Sequence, residues 1–248
     1  MNVNFILSSG RTGTVFLAGV LNALPGVSAC HERYSYFLRL WQNMRLSGKD
    51  TSAIDPAVWW LFDFLKEKKK IHFEINPNFR AHTSELLREY PDANYWHIVR
   101  DPRTYVRSAV NWGEGKRLNC WLKMKMPYWV PRPREFRLGG DERNRLFELS
   151  VHNWKVTNEN YSGLRNKTDK YKLLKYEDLV RDSESFTSNL LKGAGYEQPE
   201  MENLLKQAIS KAPKNVSEKT FPEYGEWGDE YQVFLKEEVG ELMDRFGY

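Results

Sequence analysis

The stretch SSGRTGT, Ser8 to Thr14, decides how this chain folds. The apolar run Val3 to Leu7 leads into it, and from it runs Val15 to Leu24, whose apolar residues recur at helical spacing. A strand that passes through a glycine-containing turn into a helix leaves several backbone N–H groups without intrahelical partners. It also sets the positive end of a helix dipole at the same point. Such a point holds an anion, most often phosphate. The stretch is not a Walker loop, which needs Gly-Lys-Ser/Thr at the helix start, because Gly13 is followed by Thr14 and Val15. Phosphate binding is expected here; ATP or GTP chemistry is not.

Outward from this turn, strand-like and helix-like segments alternate. Strands are expected at Asn4 to Ser8, Val27 to Cys30, Ile71 to Ile75, Asn94 to Val99 and Lys172 to Lys175. Helices are expected at Gly13 to Ala23, Pro56 to Lys68, Phe79 to Tyr90, Pro102 to Trp112, Asn144 to Leu164, Ser183 to Gly193, Pro199 to Lys211 and Asp229 to Phe246. The alternation predicts an α/β fold, a mainly parallel central sheet flanked by helices. A length of 248 residues, 41% hydrophobic and 28% charged, fits one domain over residues 1–248. The segment Gly113 to Arg143 has no clear period and is rich in Pro, Trp and basic residues. It reads as an inserted lid, or as a solvated loop.

The net charge of +4 suits an anionic ligand but falls short of a nucleic-acid-binding arm. Two cysteines, Cys30 and Cys120, are too few for a disulfide framework or a thiolate zinc site. No apolar run reaches the length of a secretory core or a membrane span, so a cytoplasmic protein is expected.

The second informative stretch is HIVRDPRTYVRSAVNW, His97 to Trp112. Arg100 ends an apolar strand, Asp101 caps the next helix and Pro102 occupies its first turn. Ser108 lies eight residues beyond Arg100, so a phosphate lying along this helix meets the Arg fork and the Ser hydroxyl together.

These stretches together resemble the sulfotransferases that use 3'-phosphoadenosine 5'-phosphosulfate (PAPS) and release adenosine 3',5'-bisphosphate (PAP). The resemblance implies a P-loop-like fold. It assigns the 5'-phosphosulfate loop to Arg11, Thr12, Gly13 and Thr14, with Val15 behind them, and the 3'-phosphate site to Arg100 and Ser108. In LLKYEDL, Leu173 to Leu179, it places Tyr176 near the adenine. The cytosolic branch closes the 3'-phosphate site with an Arg-Lys-Gly segment; SEKTFPEYGEW offers only Lys219 and Ser217 there. That branch also carries a His base after its third strand, where HFEINP has Glu74 and Asn76. In SACHERY, Glu32 stands twenty-one residues after Arg11, the separation at which the tyrosylprotein branch carries its catalytic Glu.

Sulfuryl transfer needs a base for the acceptor proton and cations for the charge growing on the bridging oxygen. The resemblance gives the first role to Glu32 and the second to Arg11. His31 orients the acceptor or is itself the base, and Glu74 and Asn76 serve either catalysis or a strand-end cap. No metal is required, and HERYS lacks the second His of a zincin helix. His72, His82, His97 and His152 read as structural or surface groups, and Trp59, Trp60 and Trp154 as core or interface aromatics. The acceptor is expected to be a small molecule, glycan or lipid. In the segment from Gly113, basic residues such as Lys123, Lys125 and Arg132 interleave with Trp121, Tyr128 and Trp129, which suits ring faces and anionic substituents. Two rival functions are a small-metabolite kinase, which needs a Walker Lys, and a non-catalytic nucleotide or nucleic-acid binder, which has no use for Glu32.

Overall fold

In β1 (Asn2–Ser8) the last five residues are all buried, so both faces of the strand are covered, as in the middle of a parallel sheet. The computed structural model describes residues 2–32, 35–65, 70–115, 133, 135–212 and 220–248. Within them β1 pairs with β3 (Ile71–Ile75) on one side and β4 (Asn94–Val99) on the other. The edges are β2 (Val27–His31) and β5 (Tyr171–Lys175). The order is β2-β3-β1-β4-β5 and every pairing is parallel. The chain leaves β1 toward one edge and later returns past it to build the other. The C-terminal ends of β1 and its neighbours therefore border an open crevice, where α/β sheets take ligands.

The expected strands all form, and the helices follow the apolar period with a few differences. They are α1 (Thr14–Asn22), α2 (Ser35–Leu46), α3 (Asp55–Leu65), α4 (Thr83–Glu89), α5 (Pro102–Glu114) and α6 (Glu142–Ser162). After β5 come α7 (Tyr176–Arg181), α8 (Ser183–Gly193), α9 (Met201–Lys211) and α10 (Asp229–Phe246). Two of these were not expected. Helix α2 buries Gln42 and Asn43 beside Leu38 and Trp41, so half its inner face is polar and its apolar period is masked. Helix α7 is a single short element directly after β5. The helix expected from Phe79 is two pieces, a 3-10 turn Pro77–Phe79 and then α4. Trp59 and Trp154 are buried as core aromatics, whereas Trp60 is 64% exposed.

Three apolar clusters hold the layers together. On one face of the sheet, Leu17, Val20 and Leu21 of α1 pack with Phe186, Leu190 and Leu205 against Ile6, Phe73 and Ile98. On the other, Leu38, Trp41, Val58 and Phe79 pack against Phe5, Leu7 and Tyr95. The third joins α5, α6 and α10 through Val106, Val110, Phe147, Trp154, Leu235 and Val239. The ends of the expected lid belong to helices, Gly113 and Glu114 to α5 and Glu142 and Arg143 to α6. Residues 116–132 and 134 lie outside the described residues, as do Ser217 and Lys219. Among the described residues no helix is long and apolar enough to cross a membrane.

Gly13 is fixed twice over. Its φ of +72° is one that L side chains rarely adopt, and a Cβ there would lie 2.8 Å from Leu179 Cδ2 and 3.4 Å from Tyr176 Cε2. Gly13→Ala is expected to destabilise the protein by about 2 kcal/mol or more, from the left-handed conformation and the close contact with α7 together. Urea denaturation measures it; a loss within error of zero would mean the turn yields.

Burial also sets an acid limit. His97 is enclosed, with Nε2 2.9 Å from Asn158 Oδ1 and Nδ1 2.8 Å from Tyr171 Oη. An imidazole that donates from Nε2 and accepts at Nδ1 satisfies both contacts while neutral. Burial pushes its pKa down to about 4, and that of His82 down to about 3. Both values lie below the ordinary 6.5 of an unfolded chain, so the unfolded state takes up protons first as pH falls. Their contribution to stability is complete above about pH 6.5 and is lost progressively toward pH 4. Melting temperature should thus be level from pH 8 to about 7 and decline below, and His97→Gln should decline less steeply.

Candidate functional site

The site starts at the turn between β1 and α1. Gly10, Arg11 and Gly13 all have positive φ, and Arg11, at 54°, is one of two non-glycine residues so placed among those described; the other is Glu32, at 47°. In this conformation the Arg11 carbonyl accepts a hydrogen bond from Arg100 Nη1 at 2.6 Å, while Arg11 Nε donates to Ser108 Oγ at 3.2 Å. Arg100 stands at the end of β4, next to β1 in the sheet, and Ser108 is on α5. The expected capping holds: Asp101 accepts from Arg103 N at 2.8 Å, and Pro102 follows.

The Arg100 guanidinium lies 4.5 Å above the Tyr176 ring, and its Nε donates to Thr104 Oγ1 at 3.0 Å. It forms no ion pair among the described residues, because the carboxylates nearby are engaged elsewhere. Glu177 accepts from Asp101 N and from Tyr248 Oη, and Asp101 is paired with Arg103. Burial lowers the pKa of Arg100, and burial followed by the charge of Arg100 lowers that of Arg11. The structure therefore gathers Arg11, Gly13, Arg100, Ser108 and Tyr176 around one turn. Ser9 Oγ and Thr12 Oγ1, in the same turn, are buried without a hydrogen-bond partner. Arg103 and Arg107 stand apart, paired with Asp101 and Glu223.

Beyond the turn opens a cavity of about 320 Å³. The turn residues Arg11, Thr14 and Val15 line one side of it, and His31, Glu32 and Arg39 another. Glu32 continues the strand ladder, its N–H donating to Ile75 O at 2.9 Å, before the chain turns away. Its carboxylate, 29% exposed, is 3.9 Å from Arg39 Nη2 and 4.0 Å from His31 Nε2. His31 Nε2 lies 2.9 Å from Thr14 Oγ1. Burial lowers the His31 pKa against the opposing charges of Glu32 and Glu74, which favours a neutral ring.

Glu74 and Asn76 are not in this wall. Glu74 is enclosed in β3 with Oε2 3.7 Å from His72 Nε2, and Asn76 Oδ1 accepts from Asn78 N at 3.0 Å, the strand-end cap expected as its structural role. Among the described residues two groups of side chains lie close enough to share a metal, Cys30 with His72 and Glu74, and Asp55 with His82 and Glu85. Neither contains His31 or Glu32, and in the second Arg45 pairs with both carboxylates.

Sequence reasoning missed several lining residues, among them Arg39, Asn78, Arg80, Tyr105 and Asn153. Tyr105 lies between Arg100 and Ser108 without being singled out, and the others belong to no motif of fixed spacing; the signal available for them was the presence of charged or amide side chains inside amphipathic segments. Of the basic groups expected at the lid, Arg137 is paired with Glu237 and Glu238, and Arg143 with Glu114.

The family model described as "Sulfotransferase family" matches residues 39–200, a span that includes Arg100, Ser108 and Tyr176. No curated protein sequence matches the chain. Solved structures do. The sulfotransferase STF9 from Mycobacterium avium aligns with a TM-score of 0.60 at 14% identity, over 99% of this chain and 77% of that one. The sulfotransferase domain of the Synechococcus PCC 7002 olefin synthase aligns at 0.56 and 19%, over 100% and 95%. Mouse sulfotransferase SULT7A1, complexed with PAP, aligns at 0.56 and 13%, over 98% and 85%. At such identities the structural likeness speaks for the fold, while the family match covers more than half of the chain. A parallel sheet with an anion-seeking turn at the end of its central strand, and an Arg and a Ser converging on that turn, accord with that match: the chain belongs to the sulfotransferase family, and its activity is sulfuryl transfer.

Proposed function

We propose that the protein moves a sulfuryl group from PAPS to a hydroxyl or amine of an acceptor and releases PAP. The convergence of Arg100 and Ser108 on Arg11 carries this reading. Two guanidinium groups near enough for the charge of Arg100 to act on Arg11, with burial lowering the pKa of both, favour a ligand of more than one negative charge. Residues of the turn fit the phosphosulfate end. The Ser9 and Thr12 hydroxyls have no other use there, and Gly13 keeps the backbone free of a side chain at the entrance to α1. Arg100 and Ser108 take the 3'-phosphate, Tyr176 flanks the adenine, and Lys219 from outside the described residues completes the clamp. A structural relative described in complex with PAP supports the choice of nucleotide.

In the transfer, the acceptor oxygen bonds to sulfur as the bond from sulfur to the bridging oxygen breaks. Glu32 takes the acceptor proton, and Arg11 meets the charge on the departing phosphate. His31, neutral and bonded to Thr14, ties the base strand to the turn. Fixed Arg and N–H donors supply the electrostatics, so no step uses a metal. The segment 113–143 is a lid on the acceptor side, a reading supported by its ends: Trp112 and Gly113 at one, and Leu146 and Leu149 just beyond the other, line the cavity. A reducing, cytoplasmic setting fits the buried Cys30 thiol.

Two measurements test these roles. PAP should bind at least tenfold more tightly than adenosine 5'-phosphate, and Arg100→Ala should remove most of the difference, since a charge-assisted hydrogen bond contributes about 1.5 to 3 kcal/mol. Equal affinities in the wild type, by titration calorimetry, would remove the 3'-phosphate site. Glu32→Gln should leave PAP affinity near its starting value and lower turnover by about a hundredfold or more, the scale of a general base. Unimpaired turnover in that variant would transfer the role to His31.

A further inference from the structure

Arg80 is the only Lys or Arg among the buried residues described, at 5% exposure, and it lines the same cavity as Glu32. Its hydrogen bonds go to neutral groups alone: Nε donates to Gln42 Oε1 at 2.8 Å, and Nη1 donates to Asn153 Oδ1 and Thr157 Oγ1. No ion pair forms at Arg80 among the described residues, and Nη2 makes no hydrogen bond there. Burial lowers the Arg80 pKa, and among the described residues the nearby charges include Arg39, which lowers it further, and the Glu32 carboxylate, which opposes this. A guanidinium this enclosed is costly unless an anion compensates it. A purely structural link between α2 and α6 needs no charge, since all three partners of Arg80 are neutral.

Accepting the sulfotransferase reading, we propose that Arg80 is the anion-recognition residue of the acceptor subsite. The acceptor is then a small molecule that carries a carboxylate as well as the hydroxyl or amine that is sulfated. The amide and hydroxyl partners take the N–H groups of Nε and Nη1, fix the plane of the guanidinium and leave the two N–H groups of Nη2 for a carboxylate. The hydroxyl of the same molecule must reach Glu32 on the same wall, and a cavity of about 320 Å³ takes a compact hydroxy acid.

A hydrogen-bonded path also joins this subsite to the turn. Gln42 Nε2 donates to Asn78 Oδ1 at 2.9 Å while its carbonyl receives Arg80. Asn153, which accepts from Arg80, donates to Tyr105 Oη at 2.6 Å, and Tyr105 Oη donates to Ser9 O at 3.2 Å. An acceptor seated on Arg80 is thereby placed in register with the turn that holds the donor.

Matched pairs of acid and methyl ester test the proposal: 4-hydroxybenzoate, 3-(4-hydroxyphenyl)propionate and 3-hydroxybutyrate, each with its ester, assayed with labelled PAPS. Calorimetry of 4-methoxybenzoate and its ester on the PAP complex gives a readout that needs no turnover. The wild type should use the best acid at least tenfold better than its ester in kcat/KM and should bind 4-methoxybenzoate over its ester. Arg80→Gln should bring both ratios close to one, chiefly through the KM of the acid, while PAP still binds, and Arg80→Lys should keep part of the preference. Acid and ester used or bound equally by the wild type, a preference that persists in Arg80→Gln, or a panel in which no acid is used or bound would each overturn the proposal. Where PAP binds and neutral acceptors are sulfated, only the acceptor assignment falls. Where PAP does not bind, the sulfotransferase reading falls and takes this one with it.

Discussion

The site rests on a backbone constraint. Between β1 and α1 the chain takes positive φ at Gly10, Arg11 and Gly13, and this compact path aims successive N–H groups at one point. Two of the positions are glycines, for which the conformation is unstrained; Arg11 bears a cost of order 1 to 3 kcal/mol. Its neighbours hold it there. The carbonyl is fixed by Arg100, the side chain by Ser108, and Gly13 sits flush against Tyr176 and Leu179. Elements from β4, α5 and α7 therefore meet at the turn only because the turn is tight. A looser loop would separate the cations that have to act together.

Charge in the cavity is unevenly distributed in a way that suits the chemistry. Arg11, Arg39 and Arg80 line it, and Glu32 is the one carboxylate among the described residues that line it. A positive surround favours anionic partners and stabilises negative charge as it builds on the leaving oxygen, without reorganisation at the moment of transfer. The same surround holds Glu32 between Arg39 and His31, fixing its carboxylate at the edge of the acceptor space. On the proposed assignment binding and catalysis share one set of charges, and the turn and the Arg80 side of the cavity are connected through Asn153 and Tyr105.

The sheet was legible in the sequence because its inner strands β3, β1 and β4 are short apolar runs, buried on both faces, and the edge strand β5 was marked by the apolar pair Leu173 and Leu174 between lysines. Arg100 and Ser108 were legible because a capped helix start fixes their spacing; that both converge on Arg11 was not, since it depends on β1 and β4 being neighbours. Arg80 and Arg39 escaped for a different reason. Each sits in a segment whose inner face mixes Gln42, Asn43 and Asn78 with apolar residues, so the hydrophobic period that reveals a helix is diluted there. A buried polar network is built at the expense of pattern, and single-chain periodicity is weakest along this wall of the cavity.

Glu32 and Arg11 illustrate how the fold turns strand ends into chemistry. Both occupy left-handed positions shortly after parallel strands, β2 and β1, and they are the non-glycine residues so placed among those described. The N–H of Glu32 still pairs with Ile75 O, so the ladder holds the residue while its positive φ swings the chain away. Where a side chain must project from a strand end at a set angle, such a position fixes it more firmly than a flexible loop, and the strain is repaid by packing elsewhere. His31, one residue earlier and bonded to Thr14, remains part of the regular strand. Its ring braces β2 against the turn, whereas Glu32 leaves the ladder and lines the cavity, and that difference in backbone state favours the carboxylate for the base role proposed for it.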